Sequence, residues 1–270
     1  AGMAALARNE FEPTLLSAIE PWLAAGRQLA VVACGMVGAR QGWVEVPYAH
    51  VPSPPLEARS FRPAPCTDPR IAVTIVHGLC QYDPADVMRG EETQIAGLLA
   101  LEPGYQGLAC LPGTHSKWVS VAGGNVMHFR TFMTGEVFNL LERHSVLRHA
   151  LGGTSDVEEQ AFDDGVRQAM SDPAGLASHL FSVRASGLLH GTPPAAARAR
   201  LSGLLIGVEV NAMREAWSSG EVVLVGQGGL SGLYARALEL AGGRSRSVDA
   251  EACTLAGLTA AWHHTVASRL

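Results

Sequence analysis

The sequence is poor in several patterns that mark particular classes of protein. Only five of its 270 residues are cysteines, they are widely spaced, and no CxxC pair occurs. A disulfide framework or a zinc site is therefore not expected, and the thiols are predicted to be free in a reducing compartment. No apolar run approaches the ~20 residues of a membrane helix, and no signal peptide is visible. These absences favour a cytoplasmic protein with no membrane partner.

Charged residues and familiar catalytic motifs are also scarce. Only 17% of the residues are charged, the net charge is -5, and no basic run is interleaved with aromatics. This pattern argues against nucleic acid as a partner. The absence of GxxxxGK[ST], GxSxG and HExxH sequences excludes a P-loop kinase and gives no support to a nucleophile elbow or a helix-borne zinc site. The 47% hydrophobic content is that of a globular protein with a sizeable core.

What the sequence does contain is a succession of strands, glycine loops and helices, which predicts an α/β fold. Apolar runs predict strands at 29–34 and 71–79, and a proline-rich segment at 47–69 predicts extended loop or edge strand. Alternation around Gly123-Gly124 predicts a tight hairpin. Helices are predicted at 13–25, 91–101 and 195–217. Further helices are predicted to begin at Thr134, after the 226–229 turn and near the C-terminus. A loop is predicted at 80–90. A soft boundary near 103–107 divides the chain into residues 1–105 and 106–270.

The segment LPGTHSKWV at 111–119 could cradle a phosphate. Its turn offers backbone N–H groups near Gly113 and Thr114, a hydroxyl on Ser116 and a positive charge on Lys117. An ordinary polar loop entering a hairpin accounts for the same residues, and the segment alone does not decide between the two.

The segment VLVGQGGLSG at 223–232 places a glycine cluster between a strand and a helix. Such a turn suits a nucleotide, with Gly226, Gly228 and Gly229 facing it. It also suits tight packing of the helix on the strand. A nicotinamide dehydrogenase would need the full glycine fingerprint, but Ser231 stands where its third glycine belongs.

The segment MRGEETQ at 88–94 concentrates charge at the predicted start of a helix. Arg89 could bind a carboxylate through two hydrogen bonds. Glu91 and Glu92 could instead favour the helix dipole in a solvated cap. Gly35, at the end of the first strand, lets the backbone approach a ligand, although a bare turn is the commoner role for such a glycine.

Taken together, these segments resemble the 2-dehydro-3-deoxygalactonokinase family. The resemblance rests on six stretches spread in the same order over most of the chain: GMVGARQGW (35–43), GLCQYDPADVMRGEETQ (78–94), LPGTHSKWV (111–119), FRTFMTGE (129–136), LSGLLIGVEV (201–210) and the terminal helix. It implies a two-lobed actin-like ATPase or sugar-kinase fold. It also implies ATP and Mg²⁺, with transfer of the γ-phosphoryl group to 2-dehydro-3-deoxy-D-galactonate to give the 6-phosphate.

The resemblance also implies roles for individual residues. Residues 1–105 would form a sugar-acid lobe, and residues 106–270 a nucleotide lobe whose last helix bridges the two. The carboxylate of the sugar acid would be held by Arg89 and Arg130, with Glu91 and Gly35 beside them. The general base would be His115 or Glu92, with a structural His115 as an open alternative. No metal ligand can be named. The phosphate and nucleotide contacts are predicted at Gly113, Thr114, Ser116, Lys117, Gly226, Gly228 and Gly229.

One departure from the family pattern concerns the N-terminus. Kinases of this fold begin with a strand–turn–strand carrying an Asp-x-Gly phosphate loop, and Ala1-Gly2 already resembles the segment that follows it. The first lobe is therefore expected to be N-terminally incomplete. Because of this expectation, a second function remains an alternative: non-catalytic binding of a sugar acid, or regulation, by a protein with the same fold. The protein is also a candidate for forming a homo-oligomer.

Overall fold

The structure, a computed structural model, describes residues 6–152, 158–226 and 228–267. The chain divides into two compact units. The first unit contains the described residues up to Gln106, the segment Val119–Phe129 and the residues from Asp249 onward. The second contains Gly107–Trp118 and the described residues of Arg130–Val248.

Helices and strands alternate along much of the chain. The α-helices are α1 (Phe11–Ile19), α2 (Glu91–Leu101), α3 (Thr134–His144), α4 (Glu159–Ser171), α5 (Leu176–His190), α6 (Pro194–Ala212), α7 (Arg214–Trp217), α8 (Gly229–Leu240) and α9 (Ala250–Ala267). The strands are β1 (Leu29–Ala33), β2 (Tyr48–His50), β3 (Arg62–Pro63), β4 (Ile71–Ile75), β5 (Gly78–Tyr82), β6 (Ala85–Met88), β7 (Gly107–Leu111), β8 (Ser116–Ala122), β9 (Asn125–Phe132), β10 (Glu221–Val225) and β11 (Arg244–Val248). In the described ranges, no helix is both long and apolar enough to cross a membrane.

The first unit contains two small sheets. One has the order β1-β4-β3, with β1 and β4 parallel in the register Leu29↔Ile71. The other has the order β2-β5-β6, with a parallel β2–β5 pair and an antiparallel β5–β6 hairpin. A core that includes Phe11, Trp43 and Ile75 packs against the first of these sheets. The two loops that leave β1 and β6 carry Gly35 and Arg89.

The second unit is organised by a five-stranded sheet of order β11-β10-β7-β8-β9, although the distal part of its β8–β9 hairpin belongs to the first unit. Strand β10 lies between β7 and β11 and is parallel to both. Since β7 and β10 are parallel neighbours, their carboxyl ends lie at the same edge of the sheet, where α/β proteins place ligands. The loop at 112–115 and the glycine turn at 226–229 both begin there.

Small residues allow two pairs of helices to approach closely. A Cβ atom at Gly97 on α2 would stand 1.7 Å from the carbonyl oxygen of Cys253 on α9. A Cβ atom at Gly203 on α6 would stand 2.2 Å from the carbonyl oxygen of Phe162 on α4. Substitution of either glycine would therefore push the helices of its pair apart.

Most local predictions agree with the structure, but four do not. The helix predicted at 13–25 begins at Phe11 and ends at Ile19, and a short 3-10 turn follows it. The single strand predicted at 71–79 is wrong, because the chain breaks at Val76-His77 and continues as β5 in a different sheet. The loop predicted at 80–90 is also wrong over most of its length, since Asp83-Pro84 turns β5 into β6. The long helix predicted at 195–217 ends at Ala212, and α7 follows as a separate turn after Met213.

Candidate active site

The second unit contains a cavity of about 390 Å³. Its wall is mostly apolar, with contributions from α3, α6 and α8, and this is the character of a small-molecule site. The cavity is also lined by Gly113, Thr114, Thr134, Gly135 and Gly229, a group called here its polar end. Asn139, Arg198 and Ser202 add further polar side chains to the lining. The predicted phosphate turn and the predicted nucleotide turn therefore contribute to one cavity.

Two helix N-termini meet at this polar end. Helix α3 begins at Thr134 and α8 begins at Gly229, and both first residues line the cavity. The first N–H groups of a helix have no partner within it, and the helix dipole adds partial positive charge there. Two such ends at one cavity favour an anionic group there.

Gly135 lets the phosphate turn lie against the start of α3. A Cβ atom at this position would stand 2.5 Å from the carbonyl oxygen of Gly113 and 2.8 Å from Cα of Thr114. The backbone N–H of Glu136 donates to the carbonyl of Thr114 at 2.9 Å, which fixes the same approach. Any side chain at position 135 would move the turn or the helix.

The glycine turn after β10 adopts backbone conformations that favour glycine. Gly226 and Gly228 have φ values of 154° and 56°, and residues with a Cβ rarely adopt them. The N–H of Gly226 donates to Val248 at 2.8 Å, which ties the turn to the neighbouring strand β11. Gly229 lines the cavity, whereas Gly226 and Gly228 lead into it from the strand.

His115 lies beside a carboxylate on α3. Its Nε2 atom is 2.5 Å from Oε2 of Glu136, and both side chains are partly exposed. A carboxylate accepts hydrogen bonds, so in the neutral form of His115 this contact favours the tautomer with the proton on Nε2 and the lone pair on Nδ1. A histidine held in this tautomer can accept a proton at Nδ1.

Ser116 and Lys117 are both buried. The Oγ atom of Ser116 is 2.6 Å from the hydroxyl of Tyr234, which in turn donates to Oε2 of Glu209 at 2.7 Å. The side chain of Ser116 therefore belongs to a buried network under the phosphate turn. Arg130, further along β9, lies over the ring of Phe132.

In the first unit, Gly35 and the 89–92 segment come together. Gly35 packs against Gly90, and a Cβ atom on either would stand 3.4–3.9 Å from Cα of the other. The guanidinium of Arg89 lies 4.2 Å from the ring centre of Tyr48, and its Nη2 donates to Val46 at 2.7 Å. Its Nε and Nη1 atoms are buried without a hydrogen-bond partner among the described residues.

Glu91 and Glu92 cap the start of α2. The N–H of Arg89 donates to Glu91, and the N–H of Gly90 donates to Oε2 of Glu92 at 2.6 Å. The other oxygen of Glu92 accepts from the hydroxyl of Thr93 at 2.9 Å. Glu92 is fully buried, and this burial raises the pKa of its carboxyl from 4.5 to about 7. Its two oxygens are thus engaged within the protein.

Replacing Glu92 with glutamine is expected to remove a pH dependence of stability. Between pH 4.5 and about 7 the folded protein keeps a proton on Glu92 that the unfolded chain has lost. The resulting stabilisation is complete below pH 4.5 and disappears as the pH rises through 7. The free energy of unfolding of the wild type, minus that of E92Q, should fall by up to about 3 kcal/mol across this window. Denaturant titrations in which that difference is constant with pH would contradict the assignment.

The predicted residues therefore form two groups, one in each unit. The first unit holds Gly35, Arg89, Glu91 and Glu92, and the second holds the phosphate turn, the glycine turn and Arg130. Sequence reasoning missed Glu136, Thr134, Tyr234 and Glu209. The sequence does indicate that Glu209 is unusual, because it is the one acidic residue in the apolar helical segment LSGLLIGVEV.

A mixed α/β fold with a cavity where two helix N-termini meet suits an enzyme that acts on phosphate-bearing molecules. The sequence profile of the family described as 2-keto-3-deoxy-galactonokinase matches residues 1–261. The chain belongs to this family of sugar-acid kinases.

Individual relatives carry the same name. The chain is 44% identical over 265 residues to the "Probable 2-dehydro-3-deoxygalactonokinase DgoK1" of Rhizobium meliloti (strain 1021), covering 96% of this chain and 86% of that protein. It is 36% identical over 236 residues to the 2-dehydro-3-deoxygalactonokinase of Escherichia coli (strain K12), covering 86% and 78%. A crystal structure of a Sinorhizobium meliloti protein assigned to the 2-dehydro-3-deoxygalactonokinases matches with a TM-score of 0.88 and 43% identity, covering 96% and 87%.

Proposed function

We propose that this protein transfers the γ-phosphoryl group of ATP to 2-dehydro-3-deoxy-D-galactonate, giving the 6-phosphate. The observation that carries the proposal is the convergence of the phosphate turn and two helix N-termini on one cavity in a member of this kinase family. We also infer the two-lobed architecture of the actin-like ATPases, with the sugar acid bound by the first unit and the nucleotide by the second. Family membership gives no support to the non-catalytic alternative.

The nucleotide would occupy the cavity of the second unit. Its apolar wall, which includes Leu205, Ile206 and Leu233, suits a purine ring and a ribose. Backbone N–H groups at the starts of α3 and α8 and in the 113–114 turn would bind the phosphates. Phosphoryl transfer depends mostly on positioning and on neutralising charge, so these groups would supply much of the rate acceleration.

A magnesium ion would accompany the ATP and neutralise phosphate charge. Such an ion is usually held by phosphate oxygens and one or two carboxylates rather than by an all-protein cage. Within 6–152, 158–226 and 228–267, no group of three or more His, Cys, Asp or Glu side chains is arranged to hold a metal. We therefore propose that the ion would be bound chiefly through the phosphate oxygens of the nucleotide.

His115 is the better candidate for the general base. Its Nδ1 lone pair is available in the tautomer that Glu136 fixes, and the side chain is partly exposed at the phosphate turn. Glu92 is fully buried and both of its oxygens are engaged. We therefore assign proton abstraction from the sugar hydroxyl to His115, and a capping role to Glu92.

Arg89 is proposed to bind the carboxylate of the sugar acid. Two of its buried N–H groups lack a partner in the described structure, so an anionic ligand would compensate an otherwise unbalanced charge. Arg130 is a second candidate for the same carboxylate. Gly35, beside Gly90, leaves room for a ligand near the backbone.

Replacing Arg89 with alanine is expected to raise KM for the sugar acid tenfold to a hundredfold and to leave KM for ATP nearly unchanged. A charge-assisted hydrogen bond of this kind contributes about 1.5–3 kcal/mol. The matched control is Arg59→Ala, because the side chain of Arg59 is 84% exposed and pairs with Glu57. Equal KM values for the sugar acid in R89A and R59A would assign Arg89 a structural role.

The proposed function is tested by coupled ADP-release assays on a panel of 2-keto-3-deoxy sugar acids, with ³¹P NMR of the product. We expect the D-galactonate derivative to have the highest kcat/KM and the new phosphate ester to be at O6. A preference for its C4 epimer would overturn the substrate assignment. ADP release with none of the sugar acids would overturn the activity.

A further inference from the structure

A buried carboxylate lies beneath the proposed phosphate site. Glu209 on α6 is 1% exposed and belongs to no ion pair among the described residues. Its Oε1 accepts from Nε1 of Trp118 at 2.7 Å, and its Oε2 accepts from the hydroxyls of Tyr234, at 2.7 Å, and Thr134. Burial raises the pKa of Glu209, while these donors oppose the rise.

The hydroxyl protons of this network can be assigned by counting donors. Tyr234 has one phenolic proton, and it is donated to Glu209. The 2.6 Å contact between Tyr234 and Ser116 must therefore be donated by Ser116. Thr134 also donates to Glu209. Thr134 thus directs its proton to Glu209, and Ser116 directs its proton to Tyr234, so neither proton points to a ligand in the cavity.

The two residues held in this way flank the polar end of the cavity. Ser116 follows the turn that contains Gly113 and Thr114, and Thr134 is the first residue of α3, next to Gly135. Both segments line the cavity, and their backbone N–H groups are the proposed phosphate donors. One carboxylate therefore ties together the two segments whose relative position decides how those donors are aimed.

We propose that Glu209 is a positioning residue for phosphoryl transfer, one that acts through Thr134, Tyr234 and Ser116 without touching either substrate. The inference rests on the proposed function, since it assumes that phosphate occupies this end of the cavity. A buried carboxylate is a poor choice for stability alone, because apolar side chains of similar volume often fill such a position equally well. The carboxylate instead fixes the relative position of three elements, because it accepts one hydrogen bond from each of β8, α3 and α8.

The test compares Glu209→Gln with a matched control, Asp163→Asn. Asp163 is another buried acid of the same unit, it is bonded to Arg236 on α8, and it does not line the cavity. In E209Q we expect kcat to fall tenfold to a hundredfold, with KM for the sugar acid within twofold of wild type. In D163N we expect a lower Tm and an unchanged kcat. A fall in Tm for E209Q with kcat unchanged would overturn the proposal.

Two further variants keep the test decisive if E209Q does not fold. Tyr234→Phe breaks the branch to Ser116, and Thr134→Val breaks the branch to α3. Each should lower kcat by a smaller factor than E209Q does. The fall in kcat of the double variant should be smaller than the product of the two single-variant factors, because both changes act through one carboxylate. Wild-type kcat in both single variants would overturn the proposal.

Failure of the proposed function gives a different result from failure of this inference. If the wild type phosphorylates none of the sugar acids, the function is wrong, and Glu209 is tested by calorimetry with a non-hydrolysable ATP analogue. A loss of affinity of tenfold or more in E209Q but not in D163N would then support the positioning role. Equal affinities would overturn it.

Discussion

Replacing Gly135 with alanine is expected to lower kcat/KM by roughly a hundredfold or more, since misplacement of reacting groups by about 1 Å has an effect of this size. The added Cβ atom would stand 2.5 Å from the carbonyl oxygen of Gly113, so the turn and α3 must separate. The hydrogen bond from the N–H of Glu136 to Thr114 would lengthen with them. The measurement is steady-state kinetics at a temperature well below the Tm of the variant.

Gly232→Ala is the control for the change at Gly135. Gly232 lies within α8, is exposed, and a Cβ atom there would meet nothing within 4 Å. Alanine in a helix interior is more favourable than glycine by about 0.5–1 kcal/mol, so G232A should be slightly more stable than wild type and equally active. If G135A retained the activity of G232A, the turn at 113–114 would not position a phosphate.

The features that the sequence predicted are those that depend on neighbouring residues. Gly123-Gly124 between two alternating segments predicted the β8–β9 hairpin, and both glycines adopt positive φ. The strand, glycine turn and helix at 221–240 were likewise predicted from local pattern alone. Turn chemistry is determined within a few residues, so it can be read without knowledge of the tertiary fold.

The features that were missed depend on distant partners. The apolar run at 71–79 reads as one strand, but residues 78–80 pair with 48–50 in a second sheet, and this distant partner is not visible in the local pattern. Among site residues, Glu209 meets Trp118 across 91 positions of sequence, and His115 meets Glu136 across 21. Periodicity predicts which face of an element is buried, but it does not predict which polar groups will meet there.

Replacing His115 with glutamine is expected to lower kcat by about a hundredfold to a thousandfold, the usual contribution of a general base. The amide of glutamine can still donate to Glu136, but it cannot accept a proton from the sugar hydroxyl at neutral pH. KM for ATP should change little, because the proposed phosphate donors are backbone groups.

Two companion variants distinguish a role of His115 as a base from a structural role. Glu136→Gln keeps the histidine but removes the carboxylate that orients its ring, so kcat should fall by a smaller factor, about tenfold. His128→Gln replaces an exposed histidine on β9 and should leave kcat unchanged. If H115Q and H128Q gave the same kcat, His115 would be a structural residue. The proton would then have to leave through another group, because Glu92 is buried with both oxygens engaged.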